Sequence, residues 1–322
     1  VPRSTLRRGD GRRLLVVIAA ASAVGAARVS IRYRRDLDAA HARVARVDRR
    51  VVPTRWGAVE YAERGDGEPL LVVHGIFQGC DGGLLSVREL CRDHRVIAPS
   101  RFGYLGSSIP PGATPAAQAD AFVALLDALR IAQVDVIGLS AGSTSVLQLA
   151  LRHPGRVKHL VVVSGNLPGG RTAVVQPAWA RVLYGDPAMW ALKVVSPSTM
   201  ARLAGVPKGF RMTAGDAGLV AEFVESLFPI SWKIRGVTFD AYVSNADVNA
   251  YELEAIAVPV MLVHARDDEL ASYDAAARAA ARIPAARLIS LRSGGHLLLG
   301  RTDVVRNELD TFLGSGVAAP AR

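Results

Sequence analysis

Ser140 stands at the centre of Gly138-Leu139-Ser140-Ala141-Gly142, a G-x-S-x-G pattern that follows a run of strand-forming residues and precedes a helical stretch. A serine on such a turn is held in a strained backbone conformation, and glycines on either side leave room for it. Its hydroxyl becomes a competent nucleophile only when a base takes its proton. Seven histidines are available. His41 lies in an Arg-rich opening segment, His153 and His159 flank Pro154, and His74, His94 and His264 end strands or helices. His296 sits in Ser293-Gly294-Gly295-His296-Leu297, where paired glycines allow a loop to swing an imidazole over a serine. It is the expected base. A carboxylate must fix the imidazole tautomer and stabilise the imidazolium. Asp267 and Asp268 follow the apolar run at 258–263, and one helix and one strand fit between them and His296. Asp268 is assigned as the acid, and Asp267 is expected to pair with Arg266 or to cap the next helix. Ser164-Gly165-Asn166, after the preceding run, offers no carboxylate.

Acyl chemistry also needs N–H donors for a developing oxyanion, each worth about 10²–10³ in rate. His74-Gly75-Ile76-Phe77-Gln78-Gly79 follows the run Leu70–Val73. The backbone N–H groups of Ile76 and Ala141 are the expected pair, with Phe77 in reserve for the first. The helix after Ser140 also turns its N-terminus towards negative charge.

These residues need a frame. Val51–Arg55 and Ala58–Ala62 read as an opening hairpin. Leu70–Val73, Arg95–Ala98, Val134–Leu139, Leu160–Ser164, Val258–Val263 and Arg287–Leu291 read as strands. Most are unbroken Val/Ile/Leu runs, as strands covered on both faces should be. Helices alternate with them, one opened by Thr114-Pro115, one over 143–152 and an Ala-rich one over 272–283. The pattern predicts an α/β fold with a mostly parallel sheet flanked by helices. Between residues 166 and 257 the rhythm breaks, and that stretch is expected to be a helical cap over the sheet. Residues 51–165 with 258–316 then form the core, 1–50 an N-terminal segment and 317–322 a tail. Trp179, Trp190, Trp232, Phe223 and Phe228 are candidates to line an apolar acyl pocket under the cap, with packing as the competing role.

The order Ser, Asp, His is the one found in α/β-hydrolases, and residues 52–165 with 258–314 resemble a capped serine hydrolase of that superfamily, esterase- or lipase-like. The His-Gly loop, the G-x-S-x-G turn, the acid and the Gly-His carry the resemblance. Ala98-Pro99-Ser100-Arg101-Phe102-Gly103-Tyr104 is similar to the segment such enzymes place after their fourth strand. The resemblance implies hydrolysis of an ester or related acyl bond through an acyl-enzyme on Ser140, a small-molecule acyl substrate and no cofactor. Epoxide hydrolases and haloalkane dehalogenases of this fold carry Asp at the turn, where this chain has Ser140. Carbon–carbon bond hydrolases typically have Asn before the serine and Trp after the histidine, where Leu139 and Leu297 stand here. Ala265 replaces a glycine common before the acid. Acyl transfer, carbon–carbon cleavage and a non-catalytic binding module on the same fold are the alternatives.

Length and composition bound the rest. The chain has 322 residues, half of them hydrophobic, and a mean hydropathy of +0.22, enough to bury a large core. Two cysteines exclude a disulfide scaffold and a Cys-rich zinc module, and Cys80 is expected to be a buried hydrophobe. H-E-x-x-H, G-x-G-x-x-G and Walker-A patterns are missing from the sequence, so no metal, dinucleotide or P-loop chemistry is expected. The formal charge of +10 is concentrated in residues 1–50, which carry 13 Arg and 4 acidic residues. The other 272 residues carry 26 basic and 25 acidic groups, so the body lacks the basic face a nucleic-acid-binding domain needs. Arginines flank an uncharged run from Leu14 to Ala27. This predicts a signal peptide or signal anchor, hence a membrane-associated or exported protein, with an uncleaved anchor favoured. The stripe Leu37, Ala40, Val44 and Val47 is expected to continue it as a stalk.

Overall fold

The middle of the sheet is built from segments whose residues are buried on both faces. In the computed structural model, which describes residues 8–169 and 184–314, eight strands lie in the order β1-β2-β4-β3-β5-β6-β7-β8. They are β1 (Arg49–Thr54), β2 (Gly57–Arg64), β3 (Glu68–Val73), β4 (His94–Pro99), β5 (Val134–Leu139), β6 (Val157–Val163), β7 (Val260–Ala265) and β8 (Ala286–Leu291). β1 and β2 pair antiparallel, β2 runs antiparallel to β4, and every later pairing is parallel. β5 and β7 are buried along their whole length, while β1 and β8 at the edges alternate with solvent. The unbroken apolar runs therefore mark the middle of the sheet, as two-sided burial requires. The run expected from Val258 joins the sheet only at Val260, and the one expected to reach Ser164 ends at Val163.

Successive side chains point to opposite faces of a strand, and the core divides accordingly. Leu71, Val73, Val136 and Leu262 face one cluster, and Leu70, Val72, Ile137 and Met261 face the other. After α1 (Arg8–Ala45) and α2 (Cys80–Ser86), the helices α3 (Pro115–Ala128) and α4 (Ser143–Arg152) cover the first face. The Thr114 hydroxyl caps α3 by accepting the Ala117 N–H at 3.1 Å, with Pro115 at the first helical position.

Between β6 and β7 the described residues form α5 (Asp186–Val195), α6 (Pro197–Leu203), α7 (Ala214–Ser226) and α8 (Ile234–Phe239), the last continuing through a π turn at Asp240–Ser244. They share a separate apolar cluster containing Met189, Trp190, Met200 and Phe228. α9 (Tyr273–Arg282) and α10 (Thr302–Gly314) complete the two layers. A fully buried network ties the helical stretch to the sheet. Arg101 donates both Nη groups to Asp240 at 2.6 Å, and the Tyr104 hydroxyl donates to the same carboxylate. Bidentate pairing and a third donor offset part of the cost of burying that charge pair.

The second half of α1 packs on this helical stretch and does not stand free as a stalk. Ala40 and Val44 are buried, the Trp190 indole donates to Asp36 at 3.0 Å, His41 stacks on Trp232, and Arg43 donates to the Phe228 carbonyl. Residues 22–32 are exposed. Among the described residues, no helix is long and apolar enough to cross a membrane.

Candidate active site

Every sequence-derived site residue lies at or beyond the carboxyl end of a strand. β3 and β5 are neighbours, yet the chain leaves them towards opposite sides of the sheet, so a crevice opens beyond their ends. Ser140 follows β5 with φ of +50°. Its neighbours must be small: a Cβ on Gly142 would come within 2.4 Å of the Val73 carbonyl oxygen, and one on Gly138 within 2.3 Å of a Val146 methyl. The Ser140 carbonyl accepts from the Ser143 hydroxyl at 2.7 Å and from the Asn166 N–H at 3.2 Å, which fixes the turn from its far side.

His296 reaches Ser140 from the loop after β8. Its Nε2 lies 2.9 Å from Ser140 Oγ, and its Nδ1 lies 2.8 Å from Asp268 Oδ2. A carboxylate only accepts, so Nδ1 carries the proton and Nε2 of the neutral ring is left as the acceptor for the serine hydroxyl. Asp268 has a fully buried side chain. Burial would push its pKa up, but hydrogen bonds from His264 and His296, attraction to the His296 imidazolium whenever that ring is protonated, and the Ala271 N–H outweigh it and hold the carboxyl well below the usual carboxylate range. Its Oδ1 also accepts the Leu270 N–H at 2.8 Å and the Ala271 N–H at 2.9 Å. Ser140, His296 and Asp268 are thus brought into one continuous hydrogen-bonded line.

Ile76 and Ala141 border the same cavity as Ser140 and His296. Phe77, the reserve donor, borders the cavity as well. His74 is buried behind this loop. Its Nε2 accepts the Arg101 N–H at 3.0 Å and its Nδ1–H donates to the Gly75 carbonyl. Cys80 and Cys91 are buried, and burial pushes each thiol up to about 12, far from a nucleophilic thiolate.

Three expectations need correction. Asp267 neither pairs with Arg266 nor caps α9, whose cap is Ser272. Its two carboxylate oxygens accept the Gly294 and Gly295 N–H groups at 3.2 and 2.9 Å, so it holds the loop that carries His296. Of the aromatic residues expected around an acyl pocket, Phe223 alone lines the cavity among the described ones. Trp190 and Trp232 instead receive α1, Phe228 is buried in the helical cluster, and Trp179 lies outside the described residues. The α1 stripe is a docking face, as described above.

Two supporting residues escaped the sequence reading. His264, the penultimate residue of β7, is buried with Nε2 at 3.2 Å from Asp268 Oδ2. Gly205, just beyond α6, accepts the His296 N–H through its carbonyl at 3.0 Å, and a Cβ there would sit 2.3 Å from His296 Cβ. Gly205 has no local signal, since its requirement comes from a loop some ninety residues later.

Residues 70–308 match the model of a family described as the alpha/beta hydrolase family. The chain is 30% identical over 256 residues, 75% of this chain and 89% of the other, to the uncharacterized hydrolase YcgS of Bacillus subtilis (strain 168). It is 28% identical over 243 residues, 73% and 82% of the two chains, to a 2-hydroxymuconate semialdehyde hydrolase of Pseudomonas sp. (strain CF600). Among solved structures, an alpha/beta hydrolase fold protein from Nakamurella multipartita superposes with a TM-score of 0.68 at 28% identity, covering 84% of this chain and all of that one. On the sheet order, the extent of the family match and these relatives, the chain belongs to the alpha/beta hydrolase family.

Proposed function

We propose that the protein is a serine hydrolase that cleaves an ester or related acyl bond through an acyl-enzyme on Ser140, with the helices between β6 and β7 acting as its cap. The observation that carries this reading is the line from Asp268 through His296 to Ser140, at 2.8 and 2.9 Å. Ser140 Oγ attacks the acyl carbonyl as its proton passes to His296 Nε2. The ionised Asp268 stabilises the resulting imidazolium through Nδ1–H. The Ile76 and Ala141 N–H groups donate to the tetrahedral oxyanion. His296 then returns its proton to the leaving oxygen, and the intermediate collapses to the acyl-enzyme. Water, deprotonated by the same imidazole, attacks the acyl carbon, and the acid and Ser140 Oγ–H are released.

A fluorophosphonate probe tests the reading. Labelling of the full chain that vanishes in Ser140→Ala is the expected result, together with turnover of p-nitrophenyl esters. A folded protein that takes no label sinks it. Carbon–carbon bond cleavage is the second reading, favoured by the similarity to the 2-hydroxymuconate semialdehyde hydrolase and opposed by Leu139 and Leu297 beside the serine and histidine.

For location, we propose that α1 brings the protein to a membrane surface. Support comes from the arginine-flanked apolar run at 14–27 and from the exposure of Val24, Val29 and Ile31 beyond the docked half of the helix. Recovery of the full chain wholly in the soluble fraction after cell disruption would exclude it.

A further inference from the structure

Beyond Ser140 the crevice widens into a cavity of about 550 Å³, ample for a ligand of drug size. Its walls are mostly aliphatic. Leu219, Phe223 and Leu227 recur every four residues along α7 and its end, presenting one helix face to the cavity, and Leu85 and Leu90 stand among the lining residues contributed by the core. Leu203, Leu219 and Leu270 line the same cavity while being 54%, 39% and 39% exposed. Leucines that belong to a cavity and also face solvent form an apolar mouth.

Besides His296, the ionisable lining residues among the described ones are Arg88, Glu89 and Glu222. Arg88 is shared between the two carboxylates, with Nη2 at 3.0 Å from Glu222 and Nε at 3.3 Å from Glu89. Glu89 also pairs with Arg92, so among the described lining residues the cavity offers no unpaired cation to an anionic substrate. A substrate carboxylate would lose its hydration there without gaining a cationic partner from those residues.

We propose that this cavity takes the acyl chain of an uncharged, poorly water-soluble ester of about eight carbons or more, entering between the exposed leucines, and rejects acyl groups that end in a carboxylate. This substrate class rests on the serine hydrolase reading of Ser140.

The test uses the full chain with p-nitrophenyl acetate, butyrate, octanoate and dodecanoate, and with p-nitrophenyl hydrogen suberate as an anionic eight-carbon control. Octanoate should exceed acetate in kcat/KM by about tenfold or more, since burying only two of the added methylenes is worth that much. The suberate ester should fall at least about tenfold below octanoate, as expected when a charge enters an apolar site without a partner. Leu219→Asp, at a half-exposed position that tolerates polarity, should lower the octanoate-to-acetate ratio about fivefold or more. A flat or falling series, or a suberate ester that matches octanoate, overturns the substrate class. Fluorophosphonate labelling separates the two ideas. A labelled protein with a flat series loses only the substrate class, whereas a folded protein that takes no label loses the hydrolase reading and this inference with it.

Discussion

Asp267 Oδ1 accepts the backbone N–H of Gly295 at 2.9 Å, so the carboxylate beside Asp268 clamps the loop that presents His296. Adjacent aspartates thus divide one task. Asp268 orients the imidazole ring, and Asp267 positions the backbone from which the ring projects.

Substituting each carboxylate separates these roles. Asp268→Asn can keep accepting the Leu270 and Ala271 N–H groups but turns an amide N–H₂ towards His296 Nδ1. The imidazole then holds its proton on Nε2 and cannot take one from Ser140. A loss of about 10³–10⁴ in kcat is expected. Asp267→Asn retains one of its two acceptors and should cost only about 10- to 100-fold, mostly in kcat. Steady-state kinetics on one ester, with circular dichroism to verify folding, tests both. A larger loss for Asp267→Asn would reverse the assignments.

Gly205→Ala tests the contact between the helical stretch and His296. The added methyl meets His296 Cβ at 2.3 Å, and the backbone at φ of +101° disfavours any L side chain. The His296 loop must shift, and a displacement of even part of an ångström should lower kcat about tenfold or more. Gly209→Ala serves as control, because it has positive φ but open space around it. Equal activity in the two variants would show that the Gly205 contact does not position His296.

Acid should weaken the fold before carboxylates titrate. Burial first, then the positive charge of Arg101 and Lys233, holds the His74 pKa well below the usual imidazole value. The folded ring stays neutral while the unfolded chain takes up a proton below about pH 6.5. The contribution of His74 to stability is therefore complete above that pH and is lost below it, by about 1.4 kcal/mol per pH unit. Asp268, with a depressed pKa, adds its own loss as the pH falls below about 4. Urea midpoints should decline between pH 7 and pH 5, and a level midpoint over that range would contradict a neutral buried His74.

Removing parts of α1 should show where its role in the fold begins. Deleting residues 1–30 spares Tyr33, Asp36, Ala40, His41, Arg43 and Val44, and the melting temperature should move by less than about 2 °C. Deleting residues 1–47 strips the partners of Trp190, Trp232 and the Phe228 carbonyl. A fall of about 5 °C or more is then expected. Scanning calorimetry of the two truncations decides it, and equal melting temperatures would mean that the docked half contributes nothing.

The strand-turn-helix around Ser140 was legible because its constraints are local. A run such as Val134–Leu139 marks a strand buried on both faces, and a residue at φ of +50° between two close-packed positions needs glycines within two residues of itself. Asp268 and His296 were legible for a related reason, since each follows a recognisable strand in a parallel sheet, where consecutive strand ends return to one edge. What separates Asp267 from Asp268 is different in kind. The two are chemically identical neighbours, and the pairing of β7 with β8, Ala265 opposite Leu291, sets which carboxylate meets the ring and which meets the Gly-Gly backbone. His264 on Asp268, Gly205 beneath His296, and Trp190 and Trp232 against α1 likewise depend on which surfaces meet when distant segments pack. Periodicity reports that a face is apolar or that a loop is small. It carries no information about the partner across the gap, because that choice is made by shape and hydrogen-bond geometry between residues that only the folded chain brings together.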